Sequence, residues 1–362
     1  MFRVLFDARL VEKPRGLGRY VRECLNAIGR QNRGRVEIFV LTPRGSEPLV
    51  KALGTFNIVS VRAWAIPVWE QIVVPIWASK LKVDVVHSPC NTTPIFLRTE
   101  RVRQIVTVHD LMFFKLRGAN FYQRFGNAYR RFVVSKFKWL QPEIIAVSNA
   151  TRDAVRDRLG IEASVIHEPV ASFVRGRVAE LAASVVDRGY SYFIHIGGLA
   201  AHKNTEMVIK AFAMADLPNC VLIVLGVPCD SRMAVNLRSE RVIFPGWVSD
   251  SEVAQYISGA IAMVFPSLME GYGLPILEAF SLGCPVITSA VAPMDELSNG
   301  AAVLVDPTSV AMIAEAFRRI SSDEGLRRRL ISDGLERARD FSADEIGLEL
   351  IEKYCGSMEC VG

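Results

Sequence analysis

Glu270 and Glu278 stand eight positions apart in Pro266-Ser-Leu-Met-Glu-Gly-Tyr-Gly-Leu-Pro-Ile-Leu-Glu278. Between them, Gly271, Tyr272, Gly273 and Leu274 lead into Pro275. Glycines at 271 and 273 leave the backbone N–H groups of a turn accessible, and Pro275 suits the first turn of a helix, where a missing N–H costs little. A helix N-terminus with open amides attracts anions. The segment therefore has the parts to cradle a sugar and a phosphate, with a carboxylate at each end. Taken singly, either glutamate reads more simply as a turn or surface-helix residue. A second set is Ile196-Gly-Gly-Leu-Ala-Ala-His-Lys-Asn204, between a strand and a helix, in which Lys203 could neutralise an anion.

The first half holds weaker signals. Pro14-Arg-Gly-Leu-Gly-Arg-Tyr20 follows the first strand, and Gly16 and Gly18 permit a tight turn with close ligand approach. Arg15 and Arg19 could meet an anionic acceptor or simply be solvated. His109 ends a predicted strand in Thr107-Val-His-Asp-Leu111, where Asp110 either orients it or caps the next segment. His87, in Val86-His-Ser-Pro89, and Ser148 also sit at strand ends, whereas His167 and His195 read as structural. No metal is expected, because the sequence lacks a D-x-D pair near a strand end and any His/Cys cluster with ligand spacing.

The elements that must position these residues follow from patterning. Val- and Ile-rich runs alternate with helical stretches, giving predicted strands at Arg3–Asp7, Val36–Leu41, Asn57–Val61, Val83–His87, Gln104–Val108 and Glu143–Val147. Predicted helices lie near Leu17–Arg30, Val68–Lys80, Tyr122–Leu140 and Ala150–Leu159. The rhythm restarts at Tyr192–Ile196 and continues with helices at Thr205–Ala215, Ser251–Ile257, Pro275–Leu282 and Val310–Ile320. Continuous apolar strands between helices imply doubly wound parallel sheets. The expected organisation is an α/β chain of two Rossmann-like domains, 1–170 and 171–340, facing each other across a cleft, with a linker near 168–190. A final helix in 341–362 packs back on the first domain.

The glutamate segment resembles the E-x7-E signature of retaining glycosyltransferases of GT-B fold, specifically glycosyltransferase family 4. Its setting matches as well: Gly246-Trp-Val-Ser-Asp250, Val264-Phe-Pro-Ser267, Gly283-Cys-Pro-Val-Ile-Thr-Ser289 and Val305-Asp-Pro307. The resemblance decides for a functional site. It implies a nucleotide-sugar donor in the second domain and an acceptor in the first. It places Glu278 on the ribose, Glu270 by the donor-sugar hydroxyls, the amides of Gly271–Leu274 on sugar and phosphate, and Gly16 and Gly18 near the donor phosphates. His109 would lie beside the reacting sugar, and His87 would line the acceptor side. His202 stands where the family often has Arg, and a neutral imidazole grips phosphate less well. Either the grip is weaker or His202 becomes charged when diphosphate is bound. The resemblance further implies front-face substitution without a carboxylate nucleophile, bacterial lipopolysaccharide or exopolysaccharide synthesis, and a GDP-hexose in preference to a UDP-sugar. A UDP-sugar-dependent transferase, a nucleotide-sugar epimerase or phosphorylase, and a non-catalytic sugar-binding subunit are the competing readings.

Charge narrows the partners. The 362 residues carry a net charge of only +5, less than nucleic-acid proteins usually show. Residues 1–170 hold 27 Lys and Arg against 14 Asp and Glu, or +13, and the remainder is −8. This split favours an anionic membrane surface, with a glycolipid or glycan acceptor, as partner of the first domain. The basic, aromatic stretch Tyr122–Leu140 reads either as a peripheral membrane contact or as a helix packed on its sheet with a solvated basic side. Seven scattered cysteines and an N-terminus that reads as a strand suggest a cytoplasmic protein.

Overall fold

The computed structural model describes residues 1–13, 16–97, 101–115, 121–170 and 189–356. Strands β1 (Phe2–Asp7), β2 (Val36–Pro43), β3 (Asn57–Val61), β4 (Val85–Ser88), β5 (Arg103–Val108), β6 (Glu143–Ala146) and β7 (Ala163–Val165) form a parallel sheet in the order β3-β2-β1-β4-β5-β6-β7. Successive residues of a strand face opposite sides of the sheet. Val4 and Phe6 accordingly pack with helix Leu17–Gln31 and the C-terminal helix Ala343–Cys355, while Leu5 packs with Trp69 and Val74. Both faces are covered, so the inner strands read as continuous apolar runs.

The second sheet is also parallel. It contains β8 (Ser191–Ile196), β9 (Cys220–Leu225), β10 (Val242–Gly246), β11 (Ala262–Phe265), β12 (Val286–Ser289) and β13 (Val303–Val305), in the order β10-β9-β8-β11-β12-β13. The chain divides into two compact units, Met1–Pro169 with Phe341–Gly362, and Val170–Asp340. Within each sheet the strand order reverses beside the first strand, between β1 and β4 and between β8 and β11. Ligands of open α/β sheets bind outside the carboxyl ends of strands at such reversals.

The C-terminal helix completes the first unit. A Cβ on Gly347 would lie 2.5 Å from the carbonyl oxygen of Ala27, so only glycine permits this approach to helix Leu17–Gln31. Arg103 closes the helix end, donating to the carbonyls of Tyr354 at 2.9 Å and Lys353 at 3.0 Å while its Nε meets Glu143 at 2.7 Å.

Two expectations are corrected. The helix expected over Val68–Lys80 is a turn at Ile66–Val68, a π segment at Trp69–Val73 and an α-helix at Val74–Leu81. Pro75 lacks the N–H that would bond residue 71, and the ladder widens just before it. The stretch Tyr122–Leu140 is two helices, Phe121–Ser135 and Phe137–Leu140, separated at Lys136. Strand β7 and the short helices Glu47–Leu53, Arg232–Leu237 and Met294–Ser298 were not foreseen, being too brief for periodicity to register. Most of the expected linker lies outside the described residues.

Candidate functional site

In the second unit the loops after β8 and β11, neighbours at the strand-order reversal, bring the two signatures together. Lys203 Nζ donates to Glu270 Oε1 at 2.8 Å. The side chains are 25% and 12% exposed, so solvent or a ligand reaches the pair. The ammonium also lies 5.2 Å from the centroid of the Phe265 ring. The loops are joined by backbone and amide bonds. Leu268 N–H donates to the His202 carbonyl at 2.8 Å. The Asn204 side-chain amide donates to the carbonyls of Pro266 at 2.9 Å and Pro307 at 2.7 Å. His202 is half-buried.

From Glu270 the chain turns through Gly271, Tyr272 and Gly273 into helix Leu274–Ser281. Gly273 caps that helix at φ 118°, a backbone region that favours glycine. Pro275 lies in the first turn, and Glu278 follows one turn inside, 3% exposed. Tyr272 is buried as well. The turn thus sets a helix N-terminus beside the Lys203–Glu270 pair, a geometry suited to an anion. Gly197 is required by packing, since a Cβ there would lie 2.7 Å from Thr205 Oγ1. Beneath it, burial pushes the pKa of His195 down to about 4. The neutral ring donates from Nδ1 to the Val264 carbonyl at 2.7 Å and meets the Thr205 hydroxyl at 3.1 Å.

The first unit treats its candidates differently. Gly16 caps helix Leu17–Gln31 with φ 58°. Gly18 is a packing glycine, because a Cβ would lie 2.3 Å from the Lys13 carbonyl. Arg19 is half-buried on that helix, and Arg15 lies outside the described residues. His87 is fully buried, with Nδ1 at 2.7 Å from the Tyr354 hydroxyl and Nε2 at 2.9 Å from Thr107 Oγ1. Burial, with a contribution from His109, pushes its pKa down to about 3. His109 is 5% exposed; Nδ1 meets Glu168 Oε1 at 2.7 Å and Nε2 meets the Pro89 carbonyl at 2.8 Å. Burial opposes charge on this ring, but the Glu168 carboxylate and Pro89 carbonyl outweigh it and raise the pKa above the ordinary value. With an acceptor at each nitrogen, the ring is an imidazolium held by a carboxylate.

These contacts correct the sequence reading of His87. His87 belongs to the core instead of lining an acceptor surface, and both nitrogens of His109 are engaged by the protein. Asp110 caps, with Oδ1 accepting from Met112 N–H at 2.8 Å. Glu168 was missed because it falls in the polar stretch read as a linker, and nothing in its neighbourhood shows a period. Tyr20, whose ring meets His109 edge-on at 4.5 Å between centroids, was equally silent. Asn204 was visible beside Lys203, but its bridging of two carbonyls depends on loops remote in sequence.

Comparison with known proteins places these sites in context. The family described as Glycosyltransferase Family 4 matches residues 14–171, and that described as Glycosyl transferases group 1 matches residues 179–337. O-antigen chain mannosyltransferase B of Escherichia coli is 28% identical over 172 residues, 45% of this chain and 45% of that protein. O-antigen chain mannosyltransferase RfbU of Salmonella typhimurium is 27% identical over 227 residues, 60% of each. The chain thus matches about half the length of these relatives. Sucrose-phosphate synthase from Thermosynechococcus elongatus shares the fold, with a TM-score of 0.72 at 18% identity over 98% of both chains.

Proposed function

Because the chain belongs to the family 4 glycosyltransferases and has their GT-B fold, we propose that it moves a hexosyl group from a nucleotide-diphosphate sugar to a glycan or glycolipid acceptor, with retention. The observation that carries this reading is the 2.8 Å contact between Lys203 and Glu270 beside the turn that opens helix Leu274–Ser281. In the unliganded site Glu270 neutralises Lys203. An arriving diphosphate competes for the ammonium, and as Lys203 turns to it the Glu270 carboxylate is released to accept from hydroxyls of the donor sugar. Amides of Gly271–Leu274 hold the anion, Glu278 takes the ribose and His202 gives a second phosphate contact. Cation and amides aimed at the leaving oxygen stabilise charge that grows in the transition state.

No carboxylate nucleophile is required in this reading. Glu270 is committed to Lys203 and then to hydroxyls, so the departing phosphate accepts the acceptor's proton on the same face. His109 serves as a positioning residue, since its ring is held by Glu168 and Pro89. Gly16 and Arg19 serve the acceptor through the loop after β1, and Gly18 lets the following helix pack against that loop.

The names of the matched relatives, both O-antigen mannosyltransferases, favour a mannosyl or related hexosyl donor and lipopolysaccharide or related polysaccharide synthesis, and the GDP base is taken from the resemblance of the motifs alone. The +13 charge of residues 1–170, with Phe132 55% and Trp139 52% exposed near Arg131, Lys136 and Lys138, favours peripheral contact with an anionic cytoplasmic membrane surface. Among the described residues no helix is long and apolar enough to cross a membrane.

The test is a thermal-shift screen of GDP- and UDP-sugars followed by transfer assays. A ligand at a hundredfold excess over its Kd stabilises by about 2.7 kcal/mol. GDP-mannose should stabilise the wild type, and Lys203→Ala and Glu270→Ala should reduce transfer. Response to UDP-sugars alone overturns the donor, and unchanged transfer in both variants overturns the site. Salt-sensitive flotation of the full chain with anionic liposomes tests the membrane contact.

A further inference from the structure

In the second unit one buried hydroxyl serves the turn that precedes Lys203. Thr205 opens helix Thr205–Ala215 and is 2% exposed. Its Oγ1 accepts from Gly198 N–H at 3.3 Å and lies 3.1 Å from both the Gly198 carbonyl oxygen and His195 Nε2. A hydroxyl has one proton to give. The Val264 carbonyl can only accept, so His195 carries its proton on Nδ1 and presents a bare Nε2. Nε2 and the Gly198 carbonyl therefore compete for the Thr205 proton. His195 is fully buried, whereas Gly198 is half-buried. A buried acceptor left without a donor is costly, so the proton belongs on His195 and Gly198 is held by its own N–H.

Glycine at 197 admits this set, since a Cβ there would lie 2.7 Å from Thr205 Oγ1 and 2.8 Å from the His195 ring. The Gly197 N–H still donates to the Leu225 carbonyl at 2.9 Å, continuing the pairing of β8 with β9. The chain therefore leaves the sheet at Gly198, where Thr205 holds it. The consequence falls on Lys203. A Cβ on Gly198 would lie 3.5 Å from Lys203 Cγ, an ordinary contact distance, so the turn runs along the stem of that side chain. Lys203 stands two positions before Thr205, and its N–H donates to the Ala200 carbonyl at 2.9 Å. Asn204, between them, has its amide on Pro266 and Pro307. The loop that carries Lys203 thus has its two ends, Gly198 and Thr205, tied to each other.

We propose that Thr205 is a positioning residue for Lys203: its hydroxyl, aimed by His195, closes the loop from Gly198 to Thr205 and holds the ammonium where a diphosphate meets it. The inference rests on the glycosyl-transfer reading and deepens it. Thr205 and His195 are buried and act on the donor through Lys203. His195, a structural residue by its sequence, becomes part of the support of the donor site.

Calorimetric titration of the full chain with GDP and with UDP tests this. Thr205→Val keeps the shape and removes the hydroxyl, so the Kd of the nucleotide that binds should rise about tenfold, the effect of one hydrogen bond. Thr205→Ser should restore most of the affinity although it gives up a buried methyl, so that affinity follows the hydroxyl and not Tm. In Lys203→Ala the same Thr205→Val change should cost no more than about twofold, because non-additivity marks residues that act together. Wild-type affinity in Thr205→Val, a loss in Thr205→Ser as large as in Thr205→Val, or an equal loss with and without Lys203 overturns the proposal. If Thr205→Val does not fold, Thr205→Ala takes its place in both arms. In the wild type itself, the nucleotide should shift the amide nitrogen resonance of Gly198 and the Nε2 resonance of His195 together, and a shift of neither refutes the coupling without any variant. A wild type that binds neither nucleotide sinks the glycosyl-transfer reading and this inference with it, whereas binding that ignores Thr205 sinks the inference alone.

Discussion

The two units handle their charged candidates in opposite ways. In the second, Lys203 and Glu270 hold one another through a single hydrogen bond in a site open enough for a ligand to intervene. In the first, His109 and Glu168 are joined just as closely but sealed, and both His109 nitrogens are spent on the protein. A buried ion pair is dear to break and does not exchange partners. An accessible one contributes little to stability and exchanges readily. The difference separates groups that can meet a substrate from groups that fix the scaffold, although both sets stand at strand ends in the sequence.

Removing one partner from each pair should break this symmetry most visibly. Glu168→Ala leaves a buried imidazolium without its carboxylate, and loss of one member of a buried pair costs about 3–5 kcal/mol. Urea denaturation should show a lowered midpoint, whereas a midpoint unchanged from the wild type refutes the sealed pair. Lys203→Ala should do the reverse. Its stability should stay within about 1 kcal/mol of the wild type, as expected for accessible ion pairs. Transfer should fall by about 10²–10³ in kcat, the usual result of losing a contact to developing charge. Full activity in that variant removes Lys203 from the chemistry.

The fate of the sequence expectations follows the same division. The parallel sheets were legible because continuous Val- and Ile-rich runs have few alternatives once helices cover both faces. Lys203 and the Glu270 segment were legible because their surrounding glycines mark turns, and turns have local rules. His87 was misjudged, and the protein partners of His109 were unforeseen, because a histidine at a strand end looks the same whether its ring faces a ligand or a neighbour. What decides is Tyr354, 267 positions from His87, and Glu168, 59 positions from His109. Arg9 was invisible for the same reason, since its partner Glu70, at 3.6 Å, comes from another element.

Titration sharpens the contrast within the first unit. The pKa of His87 in the fold is about 3 against an ordinary 6.5. Between those values the unfolded chain binds a proton that the fold refuses, so stability falls as pH drops from 6.5 toward 3. His195 acts in the same direction down to about 4. His109 has the opposite sign. Its raised pKa gives stability that is complete below 6.5 and is lost as pH rises through the folded value. Each group contributes a limiting slope of about 1.4 kcal/mol per pH unit. Denaturation curves across pH should therefore show His87→Gln flattening the acid limb and His109→Gln flattening the alkaline limb. If both variants alter the same limb, one of the two protonation states is wrong.

The smallest expected effect is the most discriminating. Glu270→Gln retains an oxygen for Lys203 but removes the charge. The pair is accessible, so the stability change should lie between about 0 and 1 kcal/mol. Donor binding separates two roles for the carboxylate. If Glu270 only parks Lys203, Gln frees the ammonium for diphosphate, and free GDP should bind at least as tightly as to the wild type. If the carboxylate also accepts from sugar hydroxyls, the gain seen with GDP should be absent or reversed with GDP-mannose, because an amide is a weaker acceptor than a carboxylate. Equal gains for GDP and GDP-mannose would confine Glu270 to holding Lys203 and leave the sugar to the backbone of the turn. A loss with GDP itself would mean that the charge of Glu270 orients Lys203 toward the anion, and the accessible pair would then resemble the sealed one in being fixed instead of exchangeable.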